Sequence, residues 1–260
     1  MKANKCPAGM GDIESLIKYK IIDGSRWYPV SVDQYRQDLS LGLFETLNSH
    51  FRNNMCYSLQ YLEYLELQVR ELNLSSVITA MIYKNFIITA ASIIELVFYH
   101  LAKVNGKIKV RNYKEVDRQF IKKPNNIIVP SQANKFLLIS YEPLPKEVED
   151  NVRFEQLISI VRDNNLLQDI NLKLNNDYVK LLRKLRNKVH LTTPANPYET
   201  DFMTFSFKDY IKAKLFLLMV LTDCQFGKDK QIIFPRMIQA VKSQISEFKQ
   251  NRKTSYLWIL

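Results

Sequence analysis

From residue 31 onward, Leu, Phe and Tyr recur at steps of three and four along SVDQYRQDLSLGLFETLNSHFRNNMCYSLQYLEYLELQVRELN. That spacing places the apolar side chains on one helix face and predicts one or two amphipathic helices. The next segment, SSVITAMIYKNFIITAASIIELVFYHLAKVNG, is apolar nearly all round. It predicts a helix central to the core, with Ser75 or Ser76 as its N-cap and Gly106 as its stop.

Residues 107–145 break the helical rhythm. NNIIVPSQANKFLLISYEPLP has two short β-branched or aromatic runs around a polar SQAN, which predicts a small hairpin, and Pro130, Pro143 and Pro145 exclude a long helix. The basic run before it, KIKVRNYKEVDRQFIKK, reads as a solvated loop. Helical periodicity resumes over residues 148–167, with Val152, Leu157, Ile160 and Val161 on one side. A polar NLKLNND precedes the helix of LLRKLRNKVHL, residues 181–191, which Pro194 and Pro197 terminate. DFMTFSFKDYIKAKLFLLMVLTDC predicts another strongly apolar helix, and IIFPRMIQAVKSQISEFKQNRKTS a last amphipathic helix with a basic end. The expected fold class is mainly all-α: an irregular lead-in over residues 1–30, then one helical domain over 31–260 with an insert at 107–147 that has room for a β-hairpin.

Composition narrows the function classes. With 260 residues, 47% of them hydrophobic, the chain can bury a core of its own. A formal charge of +11 biases its surface toward polyanions such as RNA, DNA or anionic lipid. Cys6, Cys56 and Cys224 are scattered and never form a C-x-x-C pair, so neither a disulfide framework nor a zinc knuckle is written in the chain. MKANKCPAGMGDIES lacks the apolar run of a signal peptide. Residues 77–101 are interrupted by Lys84 and Glu95, and their uncharged runs fall short of the roughly 20 residues that span a membrane. The expectation is a reduced, cytoplasmic protein with no membrane partner.

The helix around LLRKLRNKVHL carries the candidate chemistry. At about 100° per residue, Arg183, Arg186, Asn187 and His190 share one face, while Tyr178, Leu181, Leu182, Leu185 and Val189 gather opposite. A solvated basic stripe has this pattern, and so does a catalytic one. RNA is cleaved without metal when its own 2′-hydroxyl attacks phosphorus, provided one group shuttles protons and another stabilises phosphoryl charge. Histidine suits the first task near neutral pH and the planar guanidinium of arginine suits the second.

FEQLISIVRDNNLL, then DYVKLLRKLRNKVHLTTP, then an apolar helix, resembles the C-terminal half of HEPN domains, all-α bundles whose late helix carries an arginine, a following polar residue and a histidine. YKNFIITAASIIELVFYHL is similar to the family's long helix, in which a glutamate recurs inside an apolar stretch; Glu95 stands in that place. Many members are homodimeric, metal-independent endoribonucleases of toxin, antiviral or RNA-processing systems. Others only bind nucleotides, RNA or protein partners.

The resemblance implies Arg186, Asn187 and His190 as catalytic residues, Arg183, Lys184 and Lys188 as RNA-binding residues, and Glu95 in a supporting or structural role. It implies RNA as substrate, a homodimer, an antitoxin or defence-system partner protein, and no metal or cofactor. One departure stands out: only three residues separate Arg186 from His190, where the family pattern has four to six, and the six-residue interval falls to Arg183, which Lys184 follows.

Other residues have plainer readings. A carboxylate in an apolar helix, as at Glu95, commonly pairs with a cation. His50 and His100 read as satisfied structural histidines, and Tyr57, Tyr61 and Tyr64 as core or interface packing. No P-loop, dinucleotide fingerprint, G-x-S-x-G elbow or H-E-x-x-H pair occurs, so any metal site has to draw mainly on carboxylates. The very apolar run LFLLMVL, residues 215–221, suggests a helix whose outer face pairs with a second copy.

Overall fold

The computed structural model describes residues 27–40, 42–122, 135–172, 176–188 and 204–226. Among them the chain is mainly helical, with one two-stranded antiparallel sheet. The helices are α1 (Val32–Asp38), α2 (Ser49–Glu71), α3 (Ser76–Val104), α4 (Phe154–Asp163), α5 (Asn176–Asn187) and α6 (Phe207–Leu221). Short 3-10 turns at Gly42–Thr46 and Cys224–Phe226 flank the set. The lead-in up to residue 26 and the predicted last helix over 232–255 lie outside the described residues.

Local chemistry sets the ends of α3. Ser75 is the N-cap, its hydroxyl accepting from the Ile78 N–H at 3.5 Å. At the other end Gly106 takes φ +63°, the Gly106 N–H donates to the Lys103 carbonyl, and the Lys107 N–H reaches the Ala102 carbonyl at 2.8 Å. This is a Schellman closure, in which the left-handed residue after the cap turns the chain out of the helix. Asn165, at φ 55°, closes α4 in the same way, with the Leu166 N–H on the Val161 carbonyl at 2.9 Å.

The core is built around α3, which packs against α2, α4, α5 and α6. By length and composition α3 could cross a membrane, but here thirteen of its residues, among them Phe86, Ile94, Phe98 and Leu101, are buried in the bundle. Its two interruptions are both engaged: Lys84 Nζ lies 5.8 Å from the Phe205 ring centre, and Glu95 pairs with Arg186. The run LFLLMVL is absorbed in the same way. Phe216, Leu217, Leu218, Val220 and Leu221 of α6 are buried within the chain and only Met219 is exposed, so the surface that suggested a second copy is already covered.

The insert differs from its prediction. β1 (Val110–Lys122) and β2 (Lys135–Glu149) pair antiparallel, from Val110 opposite Glu149 to Lys122 opposite Lys135. The basic run expected to be a loop is therefore β1, while the run NNIIV expected to be the first strand lies outside the described residues. Val110, Tyr113 and Val116 stand three apart among charged residues and are all exposed, so β1 has no two-residue apolar alternation to mark it as a strand. β2 also takes up Val148, where helical periodicity seemed to resume; α4 begins only at Phe154. Pro143 and Pro145 are tolerated because the ladder is broken there: between the pairs Arg111–Val148 and Tyr113–Pro143, one residue of β1 faces four of β2. The ribbon is anchored at its base, where Lys103 meets Glu149 at 2.6 Å, the Tyr99 hydroxyl donates to Glu149, and Arg111 pairs with Asp150. Burial and the neighbouring carboxylate push the Tyr99 hydroxyl up to about 12.

Candidate functional site

α5 faces the core along Val179, Leu182 and Leu185, all buried, whereas Tyr178 and Leu181 are only half-buried. The buried stripe is thus rotated from the predicted one. Arg186, two turns beyond Val179, stands at its edge rather than opposite it. This placement decides what the two arginines touch. Arg186 Nη2 lies 3.0 Å from Glu95 Oε2 of α3, and Arg183 pairs with Glu155 in the first turn of α4. Both are contacts between helices, and each arginine serves a different neighbour.

The two pairs differ in their access to water. The Glu95 side chain is 26% exposed and that of Glu155 is 71% exposed; the arginines are similar, at 39% for Arg186 and 36% for Arg183. Glu95 is therefore the enclosed partner and Glu155 the open one. The plain reading of Glu95, a carboxylate paired with a cation, holds in the structure. Lys184 and Asn187 are exposed and Lys188 is half-buried. The helix is described to Asn187, and the Lys188 N–H closes back on the Leu185 carbonyl at 3.1 Å. His190, with residues 189–203, lies outside the described residues.

His100 is a structural histidine. Its Nε2 is 3.0 Å from both the Leu43 carbonyl and Thr46 Oγ1, which ties α3 to the first 3-10 turn. Burial lowers its pKa, and the Leu43 carbonyl only partly offsets that effect. His50 is exposed near the start of α2, its ring against Phe51. Tyr57 and Tyr61 are exposed and so are not core residues, while half-buried Tyr64 meets Trp27 edge to face.

Sequence reasoning missed a buried charged cluster. Lys214 of α6 and Glu66 of α2 are 1% and 5% exposed. Lys214 Nζ lies 2.5 Å from Glu66 Oε1, and the buried Tyr210 hydroxyl donates to the other carboxylate oxygen. Burial lowers the Lys214 pKa, with Glu66 opposing the shift. The signal was present: Lys214 sits between Tyr210 and Leu218 at four-residue steps, and Glu66 follows Leu59 and Leu62 on the apolar phase of its helix.

Asp169, Asp223 and Cys224 bring potential metal-ligand atoms within 4.8 Å of one another. Hydrogen bonds already engage this group. Asp223 accepts from the backbone N–H groups of Gln168 and Asp169, Asp169 accepts from the Cys224 N–H, and Cys224 Sγ donates to Gln168. The buried Asp223 carboxylate thereby pins residues 168 and 169 to the end of α6. No protein-family model, curated protein or solved structure matches the chain.

Proposed function

We propose that this chain is a HEPN-type, metal-independent endoribonuclease. Attack of the RNA 2′-oxygen forms a bond to phosphorus as the bond to the 5′-oxygen breaks, leaving a cyclic phosphate and a 5′-hydroxyl. His190 moves the proton from the attacking hydroxyl to the leaving oxygen. Arg186 stabilises the phosphoryl oxygens, with Asn187 beside it as a further donor, and Arg183, Lys184 and Lys188 hold neighbouring phosphates. The observation that carries the reading is the Arg186–Glu95 pair. Two positions singled out by the resemblance, 91 residues apart, meet at 3.0 Å.

A toxin or antiviral role, an antitoxin or defence partner and a homodimer belong to this proposal through the resemblance alone; the apolar face of α6 no longer argues for the dimer. A second reading is a catalytically silent bundle that grips RNA or a protein. It is favoured by the three-residue interval between Arg186 and His190 and by the Glu155 carboxylate already on Arg183. Incubation of the purified chain with mixed RNA in EDTA separates the two. The enzyme reading expects cleavage with cyclic phosphate ends, lost in His190→Ala that remains helical by circular dichroism. Binding without cleavage, or equal cleavage by both proteins, removes His190 from the mechanism.

A further inference from the structure

We infer that Glu155 is an internal anion seated on Arg183, and that an RNA phosphate must displace it to use that arginine. The inference rests on the RNA reading above and adds a competitor within the protein. A carboxylate and a phosphate present similar oxygens to a guanidinium, so a carboxylate already on Arg183 competes for the same donors. The pair joins two helices: Arg183 lies midway along α5 and Glu155 in the first turn of α4.

Exposure singles out this pair as the displaceable one. Glu155 is 71% exposed and can turn into water at little cost, whereas Glu95, at 26%, is the more enclosed of the two partners. The surroundings suit a polyanion. At about 100° per residue, Lys180, Lys184 and Asn187 lie on the same side of α5 as Arg183, and all three are exposed. A single phosphate meets the Glu155 carboxylate as a rival, while a strand that also engages Lys180 and Lys184 gains contacts that Glu155 cannot supply. The contact therefore weakens binding of isolated phosphates and short fragments more than binding of longer strands.

The test is fluorescence anisotropy of a labelled single-stranded RNA with the full chain at low salt. The proteins are wild type, Glu155→Gln, Arg183→Ala, the double variant, and Asp33→Asn. Asp33 is a comparably exposed carboxylate, paired with Arg36 within α1, and controls for general charge. Glu155→Gln should bind about two- to fivefold more tightly, the range set by an exposed ion pair. That gain should vanish when Arg183 is already alanine, and Asp33→Asn should bind as wild type does. A gain that persists without Arg183, an equal gain from Asp33→Asn, or no gain in a wild type that binds RNA overturns the inference. Failure of both wild type and Glu155→Gln to bind RNA instead overturns the RNA reading on which it stands.

Discussion

Lys214 Nζ and Glu66 Oε1 meet at 2.5 Å between α6 and α2, in a region where both side chains are almost wholly enclosed. Desolvating two charges is expensive, and the pair persists because each satisfies the other while Tyr210 donates to the second Glu66 oxygen. Removing one member leaves the other buried and uncompensated. Lys214→Ala and Glu66→Ala are each expected to lower unfolding free energy by about 3–5 kcal/mol. The double variant Glu66→Leu with Lys214→Met should recover most of that loss. Urea unfolding of the three variants checks this, and losses under about 1 kcal/mol from either alanine substitution would show that the pair is not buried as described.

His100 gives the fold a pH dependence of definite sign. Its folded pKa lies below the unfolded value of 6.5, mainly through burial, with Lys103 adding to the shift. Between those two values the unfolded chain binds a proton that the folded chain refuses. Stability is therefore fully present above 6.5 and falls as pH drops through that window. Glutamine can still donate to the Leu43 carbonyl but does not titrate. The difference in urea midpoint between pH 7.5 and 5.5 should be smaller in His100→Gln than in wild type; equal differences would remove His100 as the source.

Two glycines separate backbone strain from steric contact. Gly42 and Gly106 both have positive φ, +56° and +63°. A Cβ on Gly42 would lie 2.5 Å from the Gln225 carbonyl oxygen and 2.7 Å from the Phe226 carbonyl carbon, whereas nothing lies within 4 Å of one on Gly106. Gly106→Ala should cost about 1–2 kcal/mol, the strain of a left-handed residue. Gly42→Ala should cost more, because it also parts the 3-10 turns that stack Phe44 on Phe226. Equal losses in unfolding experiments would mean that the turns do not pack as described.

The bundle was legible wherever one rule acted alone. Serine before an apolar run and glycine after it marked both ends of α3, and three- and four-residue spacing gave α2 and α6 their buried faces. The ribbon was misplaced because its first strand is rich in charged residues and lacks a two-residue apolar period, and a ladder between two distant runs has no local signature. The candidate site was legible as a list but not as an arrangement. LRN marked Arg186, and Glu95 was conspicuous in an apolar helix, yet their contact depends on how α5 rotates against α3. That rotation follows from burial of Val179. Glu155 was invisible for the same reason: nothing in FEQLISIV indicates which cation its carboxylate meets.

The central claim is that Arg186, held against Glu95, is the arginine of the chemical step, while Arg183 serves binding. Single-turnover cleavage at saturating RNA in EDTA tests it most directly. Arg186→Ala should lower the rate by at least about a hundredfold, as expected for losing one charge-stabilising donor. Arg183→Ala should leave the saturated rate near that of wild type while weakening RNA binding. If Arg183→Ala abolishes cleavage and Arg186→Ala leaves it intact, the assignment is contradicted and Arg183, with six residues between it and His190, is the operative arginine.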